Sequence, residues 1–120
     1  MTIAHFYATR GDDLTEVLSR LGKEERIKKY LLRFLEEDSW AEFEKEYADR
    51  NYEEAFRHIH SIKGVCLNLG LKKMLKSSET LCEALRNGKP SFDVSNLINA
   101  VREDYDEVIS QINCLSDEDY

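Results

Sequence analysis

This 120-residue chain has no long apolar run, no excess of basic residues and few helix-breaking residues. No apolar run approaches the roughly 18–20 residues of a membrane span. The first residues, 1–5, lack the charged and apolar regions of a signal peptide, so we expect a cytoplasmic protein without membrane contact. The net charge of −7 argues against general nucleic-acid binding. Five glycines and a single proline leave few chain breaks, which favours long helices.

Cysteine is also sparse, with three residues at wide spacing and no CxxC pair. The sequence therefore contains no disulfide framework. Cys66, Cys82 and Cys114 each lie among apolar neighbours, and we expect buried, reduced thiols within helices. A metal site that combined them with His58 or His60 is the less favoured alternative, because the spacing matches no common zinc motif.

Apolar residues recur at helical spacing, and no useful strand-like alternation is present, which predicts an all-α fold. After a lead-in over residues 1–10, helices are expected over about 12–21, 23–37, 39–50, 52–69, 72–86 and 92–114, followed by an acidic tail over 116–120. Ser39 with Glu42 is typical of a capping box, and Asn51 of a second N-terminal cap. Short connections favour an antiparallel up-and-down four-helix bundle. We expect one domain over 1–120, with additional N-terminal helices over about 12–37 and a bundle core over about 39–115.

The helix predicted over 52–69 contains residues that packing alone does not require. Gly64 costs a helix interior about 1 kcal/mol relative to alanine, and it removes the side chain one turn from the imidazole of His60. Helical spacing places His60 at the edge of the buried face, with Arg57, Gly64 and Asn68 along an adjacent, more exposed strip. His58 falls on the far side of the helix. These positions indicate an accessible imidazole.

A neutral imidazole nitrogen is a competent nucleophile near neutral pH, and its attack on a phosphoryl group gives a phosphohistidine. The negative charge of that group needs nearby cations. Lys63 is the first candidate and Arg57 the second, although both also suit ordinary solvated helix charges. The chain has neither a P-loop nor a glycine-rich nucleotide motif, so we expect no autonomous kinase activity.

The segment from His60 to Gly70, with Lys63-Gly64 inside it, resembles the motif of the histidine-containing phosphotransfer (HPt) domain family of bacterial two-component phosphorelays. The resemblance covers most of the chain and implies a four-helix bundle core. It implies that His60 accepts a phosphoryl group from an aspartyl phosphate on a receiver domain and passes it to another receiver. Lys63 would stabilise the phosphoryl charge, Gly64 would leave room for the receiver, and Gly70 would end the helix.

The resemblance also implies a cytoplasmic phosphoprotein without its own cofactor, because Mg²⁺ is held by the partner receiver. The expected partners are response-regulator receiver domains, including those of hybrid histidine kinases, and the protein is expected to be a monomer. Arg57, Asn68 and Lys72 are candidate partner-binding residues. Lys72, with Lys73 and Lys76, forms a basic group that either steers toward an acidic receiver pocket or is simply solvated. Val65 departs from the small residue common in the family, which predicts altered packing rather than lost chemistry.

Two alternatives remain at this point. A binding-only helical module would dock a receiver or kinase without carrying phosphate, and the presence of His60 argues against it. A small metal or acid–base enzyme would need a convergent carboxylate pair or ligand set, and no helix face provides one.

Overall fold

A computed structural model describes residues 1–115 of the chain, and every regular element among them is a helix. The chain-order elements are α1 Ile3–Arg10, α2 Leu14–Leu21, α3 Glu24–Glu36, α4 Ser39–Ala48, α5 Tyr52–Leu69, α6 Lys72–Ala84 and α7 Ser95–Asn113. The antiparallel bundle of α4 to α7, with further helices at the N-terminus, confirms the predicted fold class. The acidic tail predicted over 116–120 lies outside the described residues.

The histidine-containing helix α5 is central to the fold and packs most extensively against α4 and α6. Its fully buried residues recur at helical spacing and form one stripe: Ala55, Ile59, Ile62, Cys66 and Leu69. Tyr52 and Phe56 border this stripe and are half-buried. The predicted buried face is therefore confirmed, and its packing fixes which side of α5 faces solvent.

Aromatic side chains of α3 and α4 both pack against Tyr105 of α7. The rings of Trp40 and Phe43 stack with their centroids 5.0 Å apart, and Tyr105 on α7 lies 6.2 Å from Trp40. Phe34 on α3 lies 5.8 Å from the same tyrosine. A partly buried ion pair also joins α4 and α7, because Arg102 on α7 donates to the carboxylate of Glu44 on α4. These contacts place α3 beside the bundle.

The lead-in expected over residues 1–10 contains a helix that was not predicted, Ile3–Arg10. The hydroxyl of Thr2 accepts from the backbone N–H of His5 and caps its start, and Gly11, at φ +73°, ends it. Three apolar residues of α1 are buried: Ile3, Phe6 and Tyr7. Apolar residues are not confined to the buried face of α1, since Ala4 and Ala8 are exposed, so its pattern is weaker than that of the equally short α2.

The capping box predicted at Ser39 is also wrong. Asp38 is the N-cap of α4, and the Ser39 hydroxyl donates to the preceding Glu37 carboxylate at 3.2 Å instead of accepting from the helix. Asn51 is the N-cap of α5, as predicted, but its side-chain amide donates to Glu46. Serine and asparagine side chains can bond to nearby groups on either side of a helix start, which limits what these motifs predict.

The helices are shorter than predicted at several ends. α4 stops at Ala48, and Arg50 adopts a left-handed φ of 62° in the turn to α5. α7 begins at Ser95 rather than near Phe92, because the Asp93 carboxylate accepts from both the backbone N–H and the hydroxyl of Ser95. This local turn holds Phe92 outside the helix, where it is 57% exposed.

The cysteine prediction holds for two residues of three. Cys66 and Cys82 are buried free thiols, and burial raises the pKa of Cys66 to about 12. Cys114 is exposed and follows the last residue of α7, which corrects the expectation that all three are buried within helices.

Within residues 1–115, no helix is both long and apolar enough to cross a membrane.

Candidate functional site

The candidate site is a strip on the solvent-facing side of α5. His60, Arg57, Gly64 and Asn68 are all exposed, as the helical spacing predicts. With a rise of about 1.5 Å per residue, the strip extends about 12 Å from His60 to Asn68. His58 is half-buried and points away from the strip. The structure therefore brings four of the predicted site residues onto one surface.

The imidazole of His60 is exposed and has an aromatic neighbour. Phe56, one turn earlier, lies with its ring centroid 5.8 Å from that of His60 and tilted by 40°. Phe56 itself is packed against the core. An anchored ring beside the imidazole limits the directions in which the histidine side chain can turn, while its outer edge stays open to solvent.

Lys63 is half-buried on the flank of the strip that faces α6. Burial raises the pKa of the Cys82 thiol, and the positive charge of Lys63 opposes that rise. Hydrogen bonding and charge from Arg86 lower the pKa of Glu83, and Lys63 adds to that effect. Lys63 forms no ion pair with any residue in the described part of the chain. Its ammonium group is therefore not held by a carboxylate within residues 1–115.

Gly64 opens the surface beside His60. A Cβ built on Gly64 would meet no atom of another element within 4 Å among residues 1–115. No packing contact therefore requires glycine at this position. Because glycine also weakens a helix interior, stability does not explain its presence here.

The C-terminal end of α5 is held by the N-terminal helices. Gly70 caps α5 at φ +66°, and a Cβ there would lie 2.6 Å from Cγ2 of Val17 on α2. The hydroxyl of Tyr7 donates to the Leu69 carbonyl at 2.6 Å. Arg20 on α2 donates to the carbonyls of Leu67 and Asn68 at 3.0 and 3.1 Å.

This cap satisfies one buried and two exposed backbone acceptors at the end of α5. The last turn of α5 contains no basic residue of its own, so Arg20 supplies from α2 the positive charge that a helix C-terminus favours. The strip is thus attached to α1 and α2 through its backbone, and its side chains remain free to contact a partner.

The remaining predicted partner-binding residues differ in position. Arg57 lies 3.9 and 3.6 Å from the carboxylates of Glu53 and Glu54, and all three are exposed. Such pairs contribute little stability, so Arg57 can exchange them for a partner. Lys72 lies past the end of α5, with its Nζ 3.7 Å from Glu16, and is therefore not beside His60.

The basic group at the start of α6 is partly neutralised. Lys73 lies 3.6 Å from Asp104 and 3.5 Å from Glu107 on α7, and these carboxylates raise its pKa. Lys76 is exposed and forms no ion pair within residues 1–115. Two of the three lysines therefore serve contacts between helices, which favours a structural role for most of this group.

One residue of the strip was not predicted. Leu67 is 57% exposed, and it follows Gly64 by three residues and His60 by seven. At about 100° per residue it lies only about 20° around the helix from His60. Helical spacing could therefore have identified it, but a leucine is normally assigned to the core. Val65 is partly buried against the core, consistent with a packing role.

The family model of the Hpt domain matches residues 12–111 of the chain. The protein belongs to the Hpt domain family. Hpt domains are phosphocarrier modules of two-component phosphorelays rather than kinases, and they interact with response-regulator receiver domains. Comparison with curated proteins and with solved structures gives no match. Residues 1–115 of this Hpt domain contain no cluster of three or more His, Cys, Asp or Glu side chains suited to a metal ion.

Proposed function

We propose that this Hpt domain carries a phosphoryl group on His60 between two receiver domains. The observation that carries the proposal is the exposed imidazole of His60 beside the open surface at Gly64. A receiver must bring an aspartyl phosphate into contact with the imidazole, and this strip is the part of α5 where a second protein can approach so closely.

In the proposed step, a ring nitrogen of His60 attacks the phosphorus of the aspartyl phosphate. The P–N bond forms as the P–O bond to the aspartate breaks, and the carboxylate leaves with the electron pair of that bond. The next receiver reverses the step with its own aspartate. Such a transfer depends chiefly on positioning and on charge stabilisation, because the attacking and leaving groups must align.

Lys63 and Arg57 have separate roles in this proposal. Lys63 lies one turn after His60 on the α6 side and stabilises the transferred group's negative charge. Arg57 lies one turn before it and contacts the receiver after leaving Glu53 and Glu54. Asn68 and Lys72 contribute polar contacts toward the far end of the interface. Mg²⁺ belongs to the receiver's own phosphorylation pocket.

We further propose that the protein acts as a cytoplasmic monomer in a bacterial phosphorelay, with one receiver belonging to a hybrid histidine kinase. The all-helical bundle offers no nucleotide-binding motif within the sequence, which supports a carrier that depends on others for its phosphoryl group.

The test is phosphoryl transfer from a panel of phosphorylated receiver domains in Mg²⁺. Intact mass would detect an acid-labile adduct on the native protein and on two matched variants, His60→Gln and His58→Gln. Both histidines lie on α5, but His60 is exposed on the strip and His58 is half-buried away from it. We expect the adduct to disappear in His60→Gln and to persist in His58→Gln.

An adduct that persists in His60→Gln would refute the assignment of the carrier residue. Receiver binding without any adduct on the folded native protein would instead support a binding-only module. Circular dichroism should confirm that each variant keeps its helical content.

A further inference from the structure

A groove between α6 and α7 lies apart from the strip on α5. Its volume is about 520 Å³, and none of its lining residues belongs to α5. The described residues that line it come from α6, from α7 and from the connection between them: Glu79, Thr80, Glu83, Ala84, Phe92 and Leu97. A molecule bound in this groove therefore leaves the surface around His60 open to a receiver.

The helices α6 and α7 are bridged near the start of α6 and separated by the groove near its end. At the start, Lys73 has its Nζ 3.6 Å from Asp104 and 3.5 Å from Glu107. Farther along, α6 lines the groove with the short side chains of Thr80 and Ala84. Because these side chains are short, they leave an unfilled hollow between the two helices.

Phe92 stands at the edge of the groove and is 57% exposed. The connection that carries it is ordered on both sides of the ring. Gly88, at φ +92°, donates its backbone N–H to the Leu85 carbonyl at 3.1 Å. The Asp93 carboxylate accepts from the backbone and the hydroxyl of Ser95 at 2.9 and 2.6 Å. An aromatic ring held in this way loses little conformational entropy when a partner covers it, which is typical of an interface anchor.

The charged residues that line the groove, Glu79 and Glu83, are both acidic. Arg86 donates to Glu83 at 2.8 Å, and this hydrogen bond lowers the pKa of Glu83. Hydrogen bonds from Ser95 likewise lower the pKa of Asp93, next to the groove. The carboxylates of Glu83 and Asp93 therefore stay ionised well below neutral pH. Because the Arg86–Glu83 pair is exposed, a cation of another protein can replace Arg86 at little cost.

We propose that this groove binds a basic amphipathic helix of a second protein. The apolar face of that helix covers Phe92 and Leu97, and lysine or arginine side chains on its flanks contact Glu79 and Glu83. Burial of one helix face in a groove is a common mode of peptide recognition. The groove is open to solvent on one side, which suits the side of a helix better than an enclosed small ligand. An acidic partner is repelled by the same carboxylates.

This second site goes beyond phosphoryl transfer and lies across α6 from the strip. Lys63, on the flank of the strip that faces α6, contributes to the lowered pKa of Glu83. Glu83 also lines the groove, so it marks the boundary between the two surfaces. The basic helix and a receiver can therefore bind the protein at the same time, and the helix recruits the Hpt domain without occupying the site of transfer.

The probe is a synthetic peptide of about 15 residues, long enough to form a helix, with leucines on one face and lysines on its flanks. The matched control peptide carries glutamate in place of every lysine. Each peptide is titrated into the isotope-labelled full chain, and the amide chemical shifts are followed by NMR. We expect the lysine peptide to cause saturable shifts centred on Thr80, Ala84 and Leu97, and the glutamate peptide to cause none.

Two pairs of matched variants test the residues of the groove. Phe92→Ala removes the exposed ring, whereas Leu32→Ala removes an exposed leucine from α3. We expect the first to weaken peptide binding about tenfold, which corresponds to about 1.4 kcal/mol, and the second to leave it unchanged. Glu79→Gln should weaken binding about two- to threefold, with a larger effect at low salt. Glu36→Gln, at an exposed position on α3, should have no effect.

Thr80→Arg tests the groove without removing a ring. The larger side chain fills the hollow and adds a positive charge at an exposed helix position, so peptide binding should be lost. Circular dichroism should show native helical content for every variant. Each variant should also accept a phosphoryl group on His60 at the native rate.

The outcomes that would overturn the proposal are distinct from a failure of the carrier role. Equal binding of the lysine peptide by native protein, Phe92→Ala and Thr80→Arg would overturn it, as would the absence of saturable shifts or shifts centred on α5. A molecular mass that rises with protein concentration, and that Phe92→Ala returns to the monomer value, would assign the groove to a second copy of the chain instead. Loss of His60 phosphorylation in Phe92→Ala would overturn the separation of the two sites.

Discussion

Replacement of Gly64 should separate stability from transfer more clearly than any other substitution on α5. Alanine is favoured over glycine in a helix interior by about 1 kcal/mol. The new Cβ would meet no other element within 4 Å among the described residues, so no packing penalty offsets that gain. Gly64→Ala should therefore raise the free energy of unfolding by about 1 kcal/mol and the Tm by about 4 °C.

Phosphoryl transfer to Gly64→Ala should become weaker, although the variant is more stable. The added methyl group projects from the surface where the receiver must approach His60. Overpacking in a close contact costs about 1–3 kcal/mol, which corresponds to about 5- to 150-fold in apparent affinity. A longer side chain in Gly64→Gln should retain part of the stability gain and impair transfer further.

The assays are urea unfolding for stability and a concentration series of phosphorylated receiver for transfer. Ala100→Gln adds comparable bulk at an exposed position on α7 and should leave transfer unchanged. Native transfer in Gly64→Gln would refute the role of Gly64 in receiver access. A lower free energy of unfolding for Gly64→Ala would contradict the conclusion that a Cβ at this position meets no neighbouring element.

Replacement of Gly70, which caps the C-terminal end of α5, should instead destabilise the fold. Its φ of +66° disfavours any side chain, and a Cβ would lie 2.6 Å from Val17. A left-handed alanine costs about 1–2 kcal/mol, and a forced contact with a packed neighbour about 1–3 kcal/mol more. Gly70→Ala should therefore destabilise the fold by about 2–5 kcal/mol in the same unfolding assay. An unchanged midpoint would show that α2 moves aside at negligible cost.

The remaining predictions concern the buried end of α5 and the thiols. Tyr7→Phe leaves the Leu69 carbonyl without its buried donor and should lower the free energy of unfolding by about 1–3 kcal/mol in urea titrations; an unchanged midpoint would contradict the contact. In native protein a thiol reagent should label one cysteine rapidly, and Cys114→Ser should abolish that reaction, because burial raises the pKa of both other thiols. Rapid labelling of a second thiol before unfolding would show that the bundle interior is accessible.

Periodicity predicts those parts of the fold in which one helix repeats its pattern over several turns. The buried stripe of α5 and the exposed strip with His60 follow from spacing alone, because the two faces are fixed relative to each other. The signal is weak in α1, where the apolar residues Ala4 and Ala8 lie on the exposed side. Helix starts are harder still, since the hydroxyl of Ser39 bonds to Glu37 rather than to its own helix.

Contacts between distant parts of the chain are a different kind of information. Arg20 contacts carbonyls that lie 47 and 48 residues later, and no local pattern links the two segments. The exposure of Leu67 could have been inferred from its angle to His60, but hydrophobicity alone assigns leucine to the interior. The residue type of Leu67 predicts a core position, whereas its angle around the helix places it on the surface.

On α5, the residues that hold the helix in place differ from those proposed to take part in phosphoryl transfer. Its apolar stripe and the attachments from Tyr7 and Arg20 fix the helix through the core and the backbone, whereas the strip contributes side chains that contact few other elements. Substitutions on the strip should therefore alter partner binding at little cost in stability, and substitutions at the cap should do the reverse. Exposed residues of the strip can therefore be substituted while the imidazole of His60 keeps its position.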